Sequence, residues 1–132
     1  MKTLFYFILL CLTCLTISCI STDGFYINTT DYVNIIEVSI PDTVNNLQDA
    51  QIRAKAMAPN GCWSNLNFVF SKNTGFEYSL IAIGNYETQG TCPEVIVYKD
   101  TIINFKPTNT GIYKFFITKT PYDISIDTMI VK

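Results

Sequence analysis

The chain has 132 residues, with 9 Lys and Arg against 11 Asp and Glu, no histidine, and 48% apolar side chains. That length is one domain, and this ratio of apolar to charged residues excludes disorder, coiled coil and collagen. A net charge of −2 argues against nucleic acid as a partner, and the lack of histidine removes the commonest general base, metal ligand and physiological pH switch together.

Taken in chain order, Lys2 supplies a short positive start and an apolar run follows from Leu4 to Leu15, interrupted by Thr13, before Thr16, Ile17, Ser18 and Cys19. Residues 1–18 have the anatomy of an export signal. About a dozen apolar residues fall short of the roughly 20 that a spanning helix needs. The segment Leu15-Thr16-Ile17-Ser18-Cys19 resembles the lipobox of bacterial lipoproteins, in which a small residue precedes a cysteine that is diacylated, becomes the mature N-terminus and is acylated again with a palmitate-type chain. Thr16 stands where that family usually has Leu. The resemblance implies a lipid on Cys19 and residence in the cell envelope, at the outer membrane or cell surface. The other reading is an ordinary signal cut near Ser18 or Ser21 and a secreted domain. Each buried methylene contributes about 0.8 kcal/mol, so two or three acyl chains anchor a protein without a spanning helix. Residues 19–31, mostly polar with Gly24, read as a tether, and residues 32–132 as the folded domain.

From residue 19 onward there are 16 Ile and 7 Val against 3 Leu, which is a strand vocabulary. Residues 33–40 alternate in the manner of a strand and end at Pro41. Residues 50–58 place Ala50, Ile52, Ala54, Ala56 and Ala58 on one side and Gln51, Arg53 and Lys55 on the other, before Pro59-Asn60-Gly61. Strand is the preferred reading there, although the composition from Leu47 onward also suits a helix. A third strand over 63–70 sets Leu66, Phe68 and Phe70 on one face, residues 71–75 turn, and a fourth runs over 76–83 or beyond into a loop at 84–93. Further strands fall at 94–99, with continuation through 101–105, then 112–118 and 124–131. Seven short strands with frequent turn signals predict an all-β, antiparallel sandwich.

Of five cysteines, Cys11 and Cys14 leave with the signal and Cys19 would carry lipid, so Cys62 and Cys92 remain as one expected disulfide. It would join the start of the third strand to the end of the fourth or the loop beyond, with the ring of Trp63 packed over it.

The most specific local pattern is Ile103-Asn104-Phe105-Lys106-Pro107-Thr108-Asn109-Thr110-Gly111-Ile112-Tyr113-Lys114-Phe115. It resembles the stretch joining the fifth and sixth strands of immunoglobulin-like domains. The resemblance implies an immunoglobulin-like sandwich with Tyr113 as its corner tyrosine, the hydroxyl bonding backbone around 107–109. Phe115 stands where antibody domains have their second cysteine, so the pair Cys62 and Cys92 must connect different elements.

Little in the sequence carries chemistry. There is no Ser-x-x-Lys, no Gly-x-Ser-x-Gly, no CxxC and no Gly-rich phosphate loop, and Asp123 to Asp127 lacks the dense acid pattern of a calcium loop. Acid pairs such as Glu77 with Glu87, or Asp100 with Asp127, are not selected by spacing. No catalytic residue, metal or cofactor is assigned. Trp63 and Tyr86 stand out as contact candidates, with Tyr86 expected in an exposed loop. The expectation is a non-enzymatic, membrane-anchored envelope lipoprotein that serves as a binding or accessory module for a protein or glycan. The alternative is a small-ligand carrier or inhibitor built as a closed β-barrel.

Overall fold

A computed structural model describes residues 24–132. The expected export signal, Cys19 and the first residues of the tether lie outside the described residues. Nine strands are present among those described: β1 (Ile27–Tyr32), β2 (Asn34–Ser39), β3 (Thr43–Val44), β4 (Ala50–Ala58), β5 (Trp63–Lys72), β6 (Glu77–Thr88), β7 (Val97–Phe105), β8 (Gly111–Thr120) and β9 (Asp123–Val131). They form two sheets. The smaller has the order β2-β4-β7, and the larger runs β1-β6-β8-β9-β3 with β5 on the other edge of β6.

The protein is therefore all-β and sandwich-like, but the expectation of seven antiparallel strands is corrected. Within the larger sheet, β6 and β8 pair parallel, with Glu77 opposite Lys114 and Leu80 opposite Ile117. The cause is connectivity: β7 is spent in the opposite sheet, so β8 returns beside β6 running the same way. A second parallel pair joins Thr43 and Val44 of β3 to Ile130 and Val131 of β9.

Residues 27–31, read from composition as the end of a tether, instead form most of β1 and pair with the last turnless stretch of β6, Ile27 opposite Thr88 and Tyr32 opposite Ile83. The chain then crosses between sheets at buried Val33, whose N–H donates to the Ala82 carbonyl at 3.0 Å. In β2 the register shifts between Ile35 and Glu37. This bulge switches the inward side from Val33 and Ile35 to Val38 and Ile40, so the simple alternation read over 33–40 breaks at Ile36.

Strand wins over helix at 50–58 because the inward residues recur every second position: Ala50, Ile52, Ala54, Ala56 and Ala58 are all buried and the residues between them are not. A helix would spread those five side chains around its axis, whereas the pleat lines them on one face. Their small size leaves room for larger side chains from the facing sheet, among them Leu66, Leu80 and Ile117. Toward the other end the core is aromatic: Phe70, Tyr78, Phe105, Tyr113 and Phe115 lie with ring centroids 4.9–6.2 Å apart. Fully burying side chains such as Phe115, Leu80 and Ile52 contributes about 1.5–3 kcal/mol each.

Two glycines are needed for these contacts. A Cβ at Gly84 would lie 3.1–3.3 Å from Trp63, Val33 and Leu66. Gly111 has φ of 149°, and a Cβ there would lie 2.9 Å from the Phe76 ring, which in turn packs on Tyr113 with centroids 4.7 Å apart.

Candidate binding face

The outward side of the smaller sheet is where the fold gathers side chains of mixed charge. Because β4 alternates, Arg53 and Lys55 point away from the alanine stripe. Register then sets their neighbours: Lys55 lies opposite Glu37 on β2 and Asp100 on β7, and Arg53 lies opposite Ser39 and Ile102. The result is two cross-strand rows, Glu37–Lys55–Asp100 and Ser39–Arg53–Ile102, bordering an open depression of about 700 Å³. That size is in the range of small-ligand sites. One step along the strands, Tyr98 is half-exposed and the Lys55 Nζ sits 5.2 Å from its ring centroid. Cross-strand pairs of opposite charge on an exposed face contribute only about 0.2–1 kcal/mol each.

A second depression of about 400 Å³ lies where the bulged edge of β2 faces β8 and β9, bordered by Ile35, Glu37, Lys119, Ser125 and Asp127. Glu37 borders both depressions. Both sheet margins here carry features that discourage further strand pairing: a bulge in β2, and on β9 the polar Ser125 and Asp127 opposite the buried Ile117 and Phe115.

Within the described residues, each residue singled out from the sequence has a definite place. Cys62 and Cys92 are joined by a disulfide, with Cα atoms 5.3 Å apart, linking the residue before β5 to the loop after β6. Trp63 packs on Tyr86, ring centroids 5.2 Å apart, and the Tyr86 hydroxyl lies 3.4 Å from Cys92 Sγ. A disulfide sulfur has no hydrogen, so the hydroxyl is the donor. Tyr86 belongs to β6 and is half-buried, not on an exposed loop, because β6 continues to Thr88. Trp63 and Tyr86 thus form a rigid cluster around the bridge, on the larger sheet and apart from the charged face. Tyr113 is buried, its hydroxyl donates to the Asn109 carbonyl at 3.0 Å, and the Asn109 N–H points back at 3.4 Å. Its neighbour Tyr78 has a phenol pushed above its ordinary range, first by burial and then by the charge of Tyr113.

The acid pairs are not brought together. Glu77 and Glu87 stand at opposite ends of β6, ten residues or roughly 33 Å apart. Asp100 borders the first depression and Asp127 the second, on different sheets. Among the described residues no three His, Cys, Asp or Glu side chains converge to hold a metal.

The sequence alone put Arg53 and Lys55 on one side of their strand. It had no means of finding Glu37 and Asp100, which lie 18 and 45 positions from Lys55 and become its neighbours only through sheet register. Compared with protein-family models, curated proteins and solved structures, the chain matches none.

Proposed function

We propose that this chain is a non-enzymatic envelope lipoprotein, anchored through lipid on Cys19, whose domain binds a glycan or protein partner on the outward side of the β2-β4-β7 sheet. The observation that carries the reading is the concentration of Glu37, Arg53, Lys55 and Asp100 around one open depression, beside the half-exposed ring of Tyr98. Arginine and tyrosine are the side chains that dominate contact energies at recognition surfaces, and paired charges set orientation more than affinity. The barrel alternative lacks comparable support: the two sheets stay separate, and the space between them is filled by side chains such as Ile52, Leu80, Phe115 and Met129.

We read the domain as a divergent immunoglobulin-like sandwich. In favour stand the Tyr113 corner and the packing of a three-stranded sheet against one containing the β8–β9 hairpin. The parallel β6–β8 pair departs from the antiparallel family pattern.

The test is direct. Lipidated protein from native membranes is crosslinked to its neighbours and applied to arrayed glycans, beside the variant carrying Arg53→Glu and Lys55→Glu. A reproducible partner bound about tenfold or more weakly by the variant, a loss of about 1.4 kcal/mol, is the expected result. Recovery of no partner, or equal binding by the variant at unchanged melting temperature, overturns the assignment of this face.

A further inference from the structure

The structure shortens the link between the domain and its proposed anchor, and it places apolar side chains where that link enters. Residues 19–31 as a tether would reach about 40 Å, but the described chain begins its contacts at Gly24. There a Cβ would lie 2.6 Å from the Gln89 carbonyl, and Ile27 already pairs with Thr88. Cys19 is five residues from Gly24, a reach of roughly 18 Å even when fully extended. A lipid on Cys19 would therefore keep this pole of the sandwich within roughly 18 Å of the bilayer surface.

The same pole is built from the N-terminal residues, the turn before β5 and the loop after β6. These are tied together by the Cys62–Cys92 bridge and by the Gly61 N–H, which donates to the Pro93 carbonyl at 2.8 Å. It exposes Phe25 at 83%, Val95 at 60%, Ile96 at 49% and Tyr26 at 48%. Tyr26 is positioned, its hydroxyl donating to Glu87 Oε1 at 2.9 Å. Residues 24–30, 59–63 and 87–97 contain two glutamates and no lysine or arginine. The pole thus has apolar and aromatic side chains suited to the boundary between headgroups and acyl chains, and no cations to seek anionic headgroups.

We propose that this pole is a membrane-contact surface: Phe25, Val95 and Ile96 enter the interfacial layer, Tyr26 lies at headgroup level, and the lipid anchor and this apolar tip together fix the domain upright on the bilayer. The inference rests on the lipid-anchor reading of Cys19. The two or three acyl chains of that reading already make attachment durable, so the apolar tip acts on the orientation of the domain.

The experiment uses full-length, membrane-extracted protein reconstituted into phosphatidylethanolamine vesicles containing brominated lipid and a minor fraction of phosphatidylglycerol. Intact mass first establishes whether Cys19 carries lipid. Phe25→Trp and Ile112→Trp are then compared, each read as its difference from the wild-type emission, which carries Trp63. Ile112 is an exposed control, because it lies two residues before Lys114, which pairs with Glu77 at the far end of β6, eleven residues or roughly 36 Å from Thr88. The expected result is a blue shift and about twofold or stronger quenching at position 25, none at 112, and no increase when the phosphatidylglycerol fraction is raised. Lipidated protein with neither tryptophan quenched overturns the membrane-contact surface and leaves the anchor standing. Unmodified Cys19 in protein that fails to float with vesicles overturns both, and the mass tells the two failures apart.

Discussion

Replacing Cys62 and Cys92 together by serine removes a bridge that spans 30 residues and encloses the whole β5–β6 hairpin. The native sheet pairs these two strands from Trp63–Tyr86 to Lys72–Tyr78 with or without the bridge, so its effect falls mainly on the unfolded chain. For a loop of that length the chain-entropy relation gives about 3.6 kcal/mol at 25 °C. A domain of this size loses about 4 °C of melting temperature per kcal/mol, so the double variant should melt about 15 °C lower. Its urea m-value should rise as well, because the uncrosslinked chain exposes more surface when unfolded. Thermal melts followed by near-ultraviolet circular dichroism, which reports Trp63 and Tyr86 beside the bridge, measure the first, and urea titration the second. A melting temperature within about 3 °C of wild type would refute the reasoning, as would two titratable thiols in the unfolded, unreduced wild-type protein.

The remaining predictions follow from contacts of equal definition. Gly84→Ala should cost about 1–3 kcal/mol in urea melts, because the added methyl meets Trp63, Val33 and Leu66 at 3.1–3.3 Å inside a packed core. Gly111→Ala should cost at least as much, since it adds backbone strain at φ 149° to a clash with Phe76, and a neutral result would show that the 110–112 backbone adjusts freely. Tyr113→Phe should lower stability by about 1 kcal/mol through loss of the hydroxyl's bond to the Asn109 carbonyl, measured by calorimetry. For pH, the Tyr78 phenol is raised above its ordinary 10.0 in the folded protein. Above pH 10 the unfolded chain therefore gives up this proton before the folded one, so its contribution is intact below pH 10 and is lost as pH climbs toward the raised native value. Tyr78→Phe should flatten the fall in stability over that alkaline window, and an unchanged slope would remove the assignment.

How far the sequence could be read depends on whether a signal was local. The strand read over 63–70, which runs on to Lys72, and the hairpin strands near the C-terminus showed themselves through alternation and turn residues, and the disulfide through elimination of the other cysteines. The Gly-x-Tyr pattern pointed to the hydroxyl contact that Tyr113 makes with Asn109. At 27–31 the same kind of reading failed. These residues are mostly polar and lie in β1, which is exposed along its whole length, and they form a strand only because β6 offers an edge left free where β8 turns away. At Ile36 a bulge reversed the inward side without leaving any compositional mark.

Hydrophobic pattern, turn chemistry and cysteine count are properties of neighbours in the chain, so an all-β domain with one bridge was already written in the order of residues. Partner choice between strands is a property of neighbours in space. It follows from which sheet β7 enters, and therefore which way β8 must run when it comes back. The parallel pair in the larger sheet, the charged rows of Glu37, Lys55 and Asp100, and the gathering of Phe25 with Val95 and Ile96 at one pole are all decided at that level. Backbone hydrogen bonding between segments tens of residues apart, not local propensity, brings those side chains to a common face or a common end of the sandwich.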